Sequence, residues 1–477
     1  MVIQRLASFQ VMSGSRDTTE LVEAVLARAR LDGGIDSFEA KARQAHNCSH
    51  PVRLYGRQAY LDTLTGELTD DQGDECLVLK ACGNRRKTRC PACSDVYRND
   101  ARHLVMAGLA GGKGVPESAT GHPMAFATLT APSFGVVHTR SKSGPGPCHP
   151  LSPSRTCPHG VKLACFLHHD RDDTLLGQPI CPDCYRYEEH VVFHGLVGEL
   201  WRRTTIYTFR ALARLLETTP SKLNKDVRLS FIKVVEYQAR GAVHLHVVVR
   251  ADGIGDGIVP PPPEVTAQVL GAAIVLGSRA VAVVHPVRLD GVVHHARWGL
   301  QIDVSPIDSP EAARRAARYV SKYVTSSTES TGALDRRLRN DKEVAALRTS
   351  GLTPHHRRLV ECAWRLSRRE EPRSLCLRRC AHALGFKGDA LTKSRRYSTS
   401  FGVLRRTRFE HRRREALLRA PPDQRGGDHE LVVGTWRYVG IGYGLPGDHL
   451  IAEMRARESI EMRREGWQEI TSEAVFG

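Results

Sequence analysis

The sequence predicts an α+β protein: a central antiparallel sheet with helices packed against it, cysteine-rich segments, and a basic helical C-terminal part. Three observations predict it. Two β-branched runs at 228–250 are separated by a short turn, the hairpin signature. The pattern along the middle of the chain reads strand, helix, hairpin, strand, helix. A helix with a complete N-terminal signature follows residue 309.

Each element has its own local reason. "AFATLTA" (125–131) combines small and β-branched residues and stops at Pro132, which predicts a strand. In 189–216, "EHVVFHGLVGELWRRTTIYTFRALARLL", apolar residues recur at helical spacing, so one or two amphipathic helices are expected. "RLSFIKVVEYQ" (228–238) and "GAVHLHVVVR" (241–250) form the two hairpin strands, with Ala239 and Arg240 in the turn. "RWGLQIDV" (297–304) predicts another strand. In "DSPEAARRAARYVSKYVTSS", Ser309 takes the N-cap, Pro310 the first helical position and Glu311 the first turn. Gly/Pro-rich breaks at 110–118, 141–153 and 251–264 mark surface connections. The expected division is an N-terminal region (1–75), a Cys-rich segment (76–120), a catalytic domain (121–330) with a Cys/His-rich insertion at 145–187, and a basic region (331–477).

The 477 residues carry 69 Lys plus Arg against 52 acidic residues, a formal net charge of +17. That balance favours polyanionic partners, nucleic acid first and a membrane surface second. The most apolar window, "VLGAAIVLGSRAVAVV", is broken by Arg279 and is too short to span a bilayer. The opening residues lack the apolar core of a secretory signal, so a cytoplasmic protein without membrane partners is expected.

Side chains alternate across a strand, so His244 and His246 share one face while Leu245 takes the other. Two imidazoles so placed can present nitrogens to one divalent ion. Glu236 and Gln238 on the preceding strand each offer an oxygen as third ligand, and the sequence leaves the choice to hairpin register, with Glu236 favoured by its charge. A mixed imidazole and carboxylate site with open positions suits Mg²⁺ or Mn²⁺ acting as a Lewis acid on a phosphate. Tyr319 and Tyr323, four apart in "ARYVSKYVT", fall on one helix face with Lys322 between them in sequence. A phenol can attack a phosphodiester to form a phosphotyrosine, and two phenols permit two successive transfers.

"HLH" on a strand followed by "YVSKY" on a helix resembles the HUH endonucleases, and the histidines-first order resembles rolling-circle replication initiators. "FATLTAPSFG" (126–135) resembles the first motif of such initiators. "CGNRRKTRCPACSDVYRND" (82–100), "CPDCY" (181–185), "GELWRRTT" (198–205) and "LTKSRRYSTSFG" (391–402) resemble initiators of actinobacterial plasmids and integrative elements. The resemblance implies the HUH, RRM-like sheet. It also implies nicking of one strand at a double-strand origin through a 5′-phosphotyrosine, leaving a 3′ hydroxyl primer, with later rejoining. Carried over, His244, His246 and Glu236 bind the catalytic metal, Tyr323 attacks first, Tyr319 serves the closing transfer and Lys322 neutralises the phosphate. The implied partners are origin DNA, single-stranded at the nick and duplex for recognition, and a host helicase and polymerase.

"CPAC" (Cys90, Cys93) with Cys82 or Cys76 upstream has the spacing of a zinc knuckle, as does "CPDC" (Cys181, Cys184) with Cys157, Cys165, His159, His168 and His169 upstream. Structural Zn²⁺ is expected there, supplying folding energy. Within the basic stretch 393–415, Arg395, Arg396, Arg405 and Arg406 are expected to contact DNA phosphates. Two other functions fit the same residues: a two-tyrosine HUH transposase, and a non-catalytic zinc-dependent DNA-binding regulator whose histidine and tyrosine pairs merely pack.

Overall fold

A computed structural model of the chain describes residues 18–31, 33–62, 68–70, 76–140, 146–149, 156–289, 292–309, 311–313, 315–317, 319–320, 334, 336–349, 351–369, 373–419 and 430–476. These fall into two compact units, 1–100 with 401–477, and 101–400. The division cuts the chain differently from the compositional segments, because the first unit is assembled from both ends.

In chain order the first unit begins with α1 (Thr18–Ala29), α2 (Gly34–Gln44), β1 (Val52–Asp62), β2 (Leu68–Asp70) and β3 (Cys76–Lys80), followed by α3 (Pro91–Ala110), of which residues up to Asp100 belong to this unit. The second unit contributes β4 (Met124–Thr130), α4 (Tyr187–Leu215), β5 (Val227–Tyr237), β6 (Val243–Gly253) and α5 (Ala267–Ala280). Then come β7 (Val283–Leu289), β8 (Val292–Ala296), β9 (Ile302–Ile307), α6 (Pro354–Leu366) and β10 (Leu391–Lys393). The chain closes with α7 (Phe401–Arg419), β11 (Glu430–Ile441) and α8 (Pro446–Phe476). Among the described residues no helix is long and apolar enough to cross a membrane.

In the first unit β1 pairs antiparallel with β11, β2 and β3. Its core gathers Val25 of α1, Phe38 of α2, Leu79 of β3 and Ile451 of α8. Acidic side chains of α3 are tied from elsewhere in the unit, Asp95 by Arg463 at 2.7 Å and Asp100 by Arg408.

The second unit is built on a five-stranded antiparallel sheet in the order β10-β5-β6-β4-β9, an α+β arrangement. Alternation along β6 sends Val243, Leu245, Val247 and Val249 into the core, where Ala125, Ala127 and Leu129 of β4 and Val235 of β5 join them. Helix α4 covers this face through Phe193, Val197, Leu200, Thr204, Thr208 and Ala211, spaced three or four apart as an amphipathic helix requires. It is one helix of 29 residues. Helix α5 crosses α4 at Gly277, where a Cβ would lie 2.4 Å from the Thr208 nitrogen, so only glycine lets the two backbones approach.

The strand expected over 297–304 begins later, at Ile302. Residues 297–301 anchor the loop instead. The buried Trp298 indole donates to Thr204 Oγ1 at 2.8 Å, and the Gly299 N–H donates to the Thr130 carbonyl at 2.7 Å. The Ser309 hydroxyl accepts from the Ala312 N–H at 3.2 Å, capping the helix described at 311–313, 315–317 and 319–320; Pro310 lies outside the described residues.

Candidate active site

The sheet face opposite the core carries the chemistry. Hairpin register pairs Glu236 with His244, and β4 pairs Thr128 with His246 and Thr130 with His244, so all five side chains share that face. The donor atoms of Glu236, His244 and His246 lie within 4.8 Å of one another. Glu236 Oε2 is 2.8 Å from His246 Nε2, and the two imidazoles stack with centroids 4.8 Å apart. Gln238 instead reaches His244 Nδ1 with its amide nitrogen at 3.4 Å.

The threonines of β4 address further ring nitrogens. Thr128 Oγ1 is 3.3 Å from His246 Nδ1, and Thr130 Oγ1 is 3.3 Å from His244 Nε2. For His246, whose Nε2 faces Glu236, a hydroxyl at Nδ1 fixes the rotation of the ring and thereby where its other nitrogen points. Burial, then the neighbouring His246 and Arg240, push His244 down to about 3, so it is a neutral donor at physiological pH.

Arg240 fastens the hairpin turn. Its guanidinium donates to the carbonyls of Pro132 at 2.8 Å and Ala131 at 2.9 Å, and to Gln238 Oε1 at 2.9 Å, tying the turn to the end of β4. Behind β6 lies a chain of buried neutral groups. His194 Nδ1 donates to the Leu384 carbonyl at 2.8 Å, which leaves Nε2 to accept from the Val243 N–H at 3.2 Å and from His190 Nε2 at 3.1 Å. His190 Nδ1 then accepts from the Tyr185 hydroxyl at 2.9 Å. The strand that carries the histidine pair is thus held from behind by hydrogen bonds that require neutral imidazoles.

Tyr319 stands at the same site. Its ring meets His246 edge-on at 4.9 Å and Phe126 at 5.4 Å, while it stays 41% exposed. Val320 and Ala317 bury the opposite side of that helix. Lys322 and Tyr323 lie outside the described residues.

Among the described residues, nine cysteines and three histidines gather into three groups of four. Cys82, Cys90 and Cys93 meet Cys48; Cys165 and His169 meet His138 and Cys148; Cys157, Cys181 and Cys184 meet His159. The sequence left the partners open, and the structure distributes them between these groups. Cys76 is exposed on β3, His168 joins no group, and Cys165 separates from Cys157. Cys48, His138 and Cys148 were missed because each stands far from a CxxC pair; chain folding, not local spacing, brings them in. Thr128, Thr130 and Arg240 were also missed, since threonine in a strand and arginine in a turn are ordinary. Arg395 and Arg396 are exposed in the loop after β10, within the second unit, and Arg405 and Arg406 are exposed on α7, within the first.

A sequence model of the family described as "RepSA: Replication initiator protein, pSAM2" matches residues 34–457, most of both units. The chain belongs to the RepSA replication initiator family. It is 35% identical over 443 residues to a curated replication initiator protein of Streptomyces ambofaciens, covering 90% of this chain and 91% of that one. No solved structure matches significantly. The RepSA match contains Glu236, the histidine pair, Tyr319 and all three cysteine and histidine groups. Replication initiation means binding DNA at an origin, which accords with the formal charge of +17.

Proposed function

We propose that the chain is an HUH-type replication initiator that nicks one strand at the double-strand origin of a plasmid or integrated element and later rejoins it. The observation that carries this reading is Glu236, His244 and His246 converging on one sheet face with the Tyr319 ring 4.9 Å from His246. Two imidazole nitrogens and one carboxylate oxygen, with His244 held neutral, are a donor set suited to Mg²⁺ or Mn²⁺. A bound divalent ion supplies Lewis-acid polarisation of the scissile phosphate. Glu236, His244 and His246 hold and orient it, and Thr128 and Thr130 fix the imidazoles.

The chemistry is a transesterification. A tyrosine oxygen forms a bond to phosphorus as the bond from phosphorus to the 3′ oxygen breaks; the phenol's proton passes to solvent base, and the departing 3′ oxygen takes a proton from solvent to become the priming hydroxyl. The 5′ phosphate stays on tyrosine until a second transfer rejoins the strand. The family resemblance assigns the first attack to Tyr323, the closing transfer to Tyr319 and charge neutralisation to Lys322. Host helicase and polymerase would extend the freed end.

The test is incubation of the purified protein with supercoiled DNA bearing its own origin, with Mn²⁺ or Mg²⁺. The expected products are nicked circles with protein on a 5′ end. Tyr323→Phe abolishes the initial adduct and Tyr319→Phe spares it. Absence of nick and adduct with every divalent ion would overturn the enzymatic reading, and equal loss in both variants would overturn the order of the tyrosines.

A further inference from the structure

The three cysteine and histidine groups take no part in the chemistry above. We propose that each binds one zinc ion, three per chain, and that the two ions of residues 138–184 interlock to shape a loop that seats the hairpin turn beside the candidate active site.

The spacings match a metal polyhedron. With Zn–S near 2.3 Å and Zn–N near 2.0–2.1 Å, tetrahedral ligation sets sulfur atoms about 3.8 Å apart, sulfur and nitrogen about 3.6 Å, and two nitrogens about 3.4 Å. Cys48 and Cys90 Sγ are 3.7 Å apart, as are Cys82 and Cys93 Sγ. In the second group Cys165 Sγ is 3.6 Å from His169 Nε2, which is 3.2 Å from His138 Nδ1, itself 3.9 Å from Cys148 Sγ. In the third, His159 Nδ1 stands 3.2 Å from Cys184 Sγ and 3.8 Å from Cys181 Sγ. These thiols are free, and their sulfurs stand far beyond the length of about 2.05 Å that a disulfide requires.

The surroundings fit as well. Asp173 Oδ2 lies 2.6 Å from His169 Nδ1, the carboxylate partner that typically orients a metal-bound imidazole, and Asp173 Oδ1 is itself held by the Leu175 N–H at 2.8 Å. Backbone N–H groups are aimed at sulfur, from Thr139 to Cys148 at 3.1 Å and from Cys82 to Cys48 at 3.3 Å, an arrangement that stabilises thiolates. Between β4 and α4 the described residues form only isolated bridges, and Phe166 and Leu167 are exposed, so this segment builds little core of its own. Metal ligation supplies the ordering that apolar burial does not.

Along the chain the ligand pairs alternate: His138 and Cys148, then Cys157 and His159, then Cys165 and His169, then Cys181 and Cys184. The first and third pairs share one site and the second and fourth the other, so neither loop closes independently. The link to the hairpin is short. The ligand His138 donates its backbone N–H to the Gln178 carbonyl at 2.8 Å and accepts from the Gly177 N–H at 2.9 Å. Gly177 is pressed on the turn, with φ +80° and space for a Cβ only 2.2 Å from the Ala239 carbonyl carbon.

Elemental analysis of the purified full chain tests this without DNA, so its outcome is independent of the nicking reading. Three zinc ions per chain are expected. Cys90→Ser should retain two, and Cys165→Ser and Cys184→Ser should each lose at least one. Asp173→Asn removes no ligand and should keep the protein folded, yet lose one ion to a chelator roughly 10–100-fold more readily than the unaltered chain. Fewer than three ions in the zinc-supplied protein, undiminished zinc in Cys165→Ser, or unchanged chelator resistance in Asp173→Asn would overturn the proposal.

Discussion

Thr128 and Thr130 show what a single hydroxyl contributes on a strand. Each sits on β4 directly opposite a histidine of β6, and Thr128 Oγ1 at 3.3 Å from His246 Nδ1 leaves Nε2 turned toward Glu236. Thr128→Val keeps the β-branched shape and removes only that polar contact. Apparent affinity for Mn²⁺, read from metal titration of nicking, should fall roughly 10–100-fold, while the unfolding midpoint barely moves. An unchanged titration would mean that the hydroxyl does not orient the imidazole. The histidine pair itself was legible in the sequence, because a period of two places residues 244 and 246 on one face. Glu236 required the register, which puts it opposite His244, a fact that hairpin sequence alone left open between residues 236 and 238.

At the scale of elements, legibility followed burial pattern. Strands β5 and β6 were readable because their β-branched runs flank a short turn, and helix α4 because its apolar residues recur three or four apart. The segment at 297–301 was misread because Trp298 is apolar for a different reason: it plugs the core from a loop and donates to Thr204. The crossing of α4 and α5 was not readable at all, since a glycine within a helix gives no local sign of what approaches it. Gly277→Ala places a methyl 2.4 Å from the Thr208 nitrogen, so the helices must separate. Destabilisation of about 1–3 kcal/mol is expected from such overpacking, measurable as a lower denaturant midpoint. Leu245→Ala, which empties a fully buried position on the core face of β6, should cost about 2–5 kcal/mol in the same assay. A smaller effect for Leu245→Ala than for an exposed strand position would contradict the assigned faces.

For the molecule as a whole, the buried histidines behind the sheet give the fold a particular response to acid. Burial holds His194, His355 and His356 at about 4, and burial followed by the neighbouring His194 holds His190 well below its ordinary value. Their hydrogen bonds demand the neutral form: His355 Nε2 donates to the Arg240 carbonyl at 2.9 Å, and its Nδ1 accepts from Tyr187 at 3.1 Å. Because the folded values lie below the unfolded value of 6.5, the unfolded chain binds more protons as pH falls. Stability is therefore intact above about 6.5 and is lost progressively down to about 4, with one such histidine contributing up to about 1.4 kcal/mol per pH unit. Carboxylate pairs act in a lower window. Glu199, held at about 2 chiefly by Arg202 and Arg203, loses its contribution only below its ordinary value of 4.5. The interval between pH 6.5 and 4.5 thus separates the buried histidines from paired carboxylates such as Glu199, and comparison with His194→Gln separates them from acid release of the proposed zinc ions. Denaturant unfolding across it should show stability falling with acid, and His194→Gln, which cannot take up a proton, should flatten the slope even where it lowers stability at pH 7. A level profile from pH 7 to 4.5 in the unaltered chain would mean that these imidazoles are protonated in the fold, and the neutral chain from Tyr185 to Leu384 would have to be abandoned.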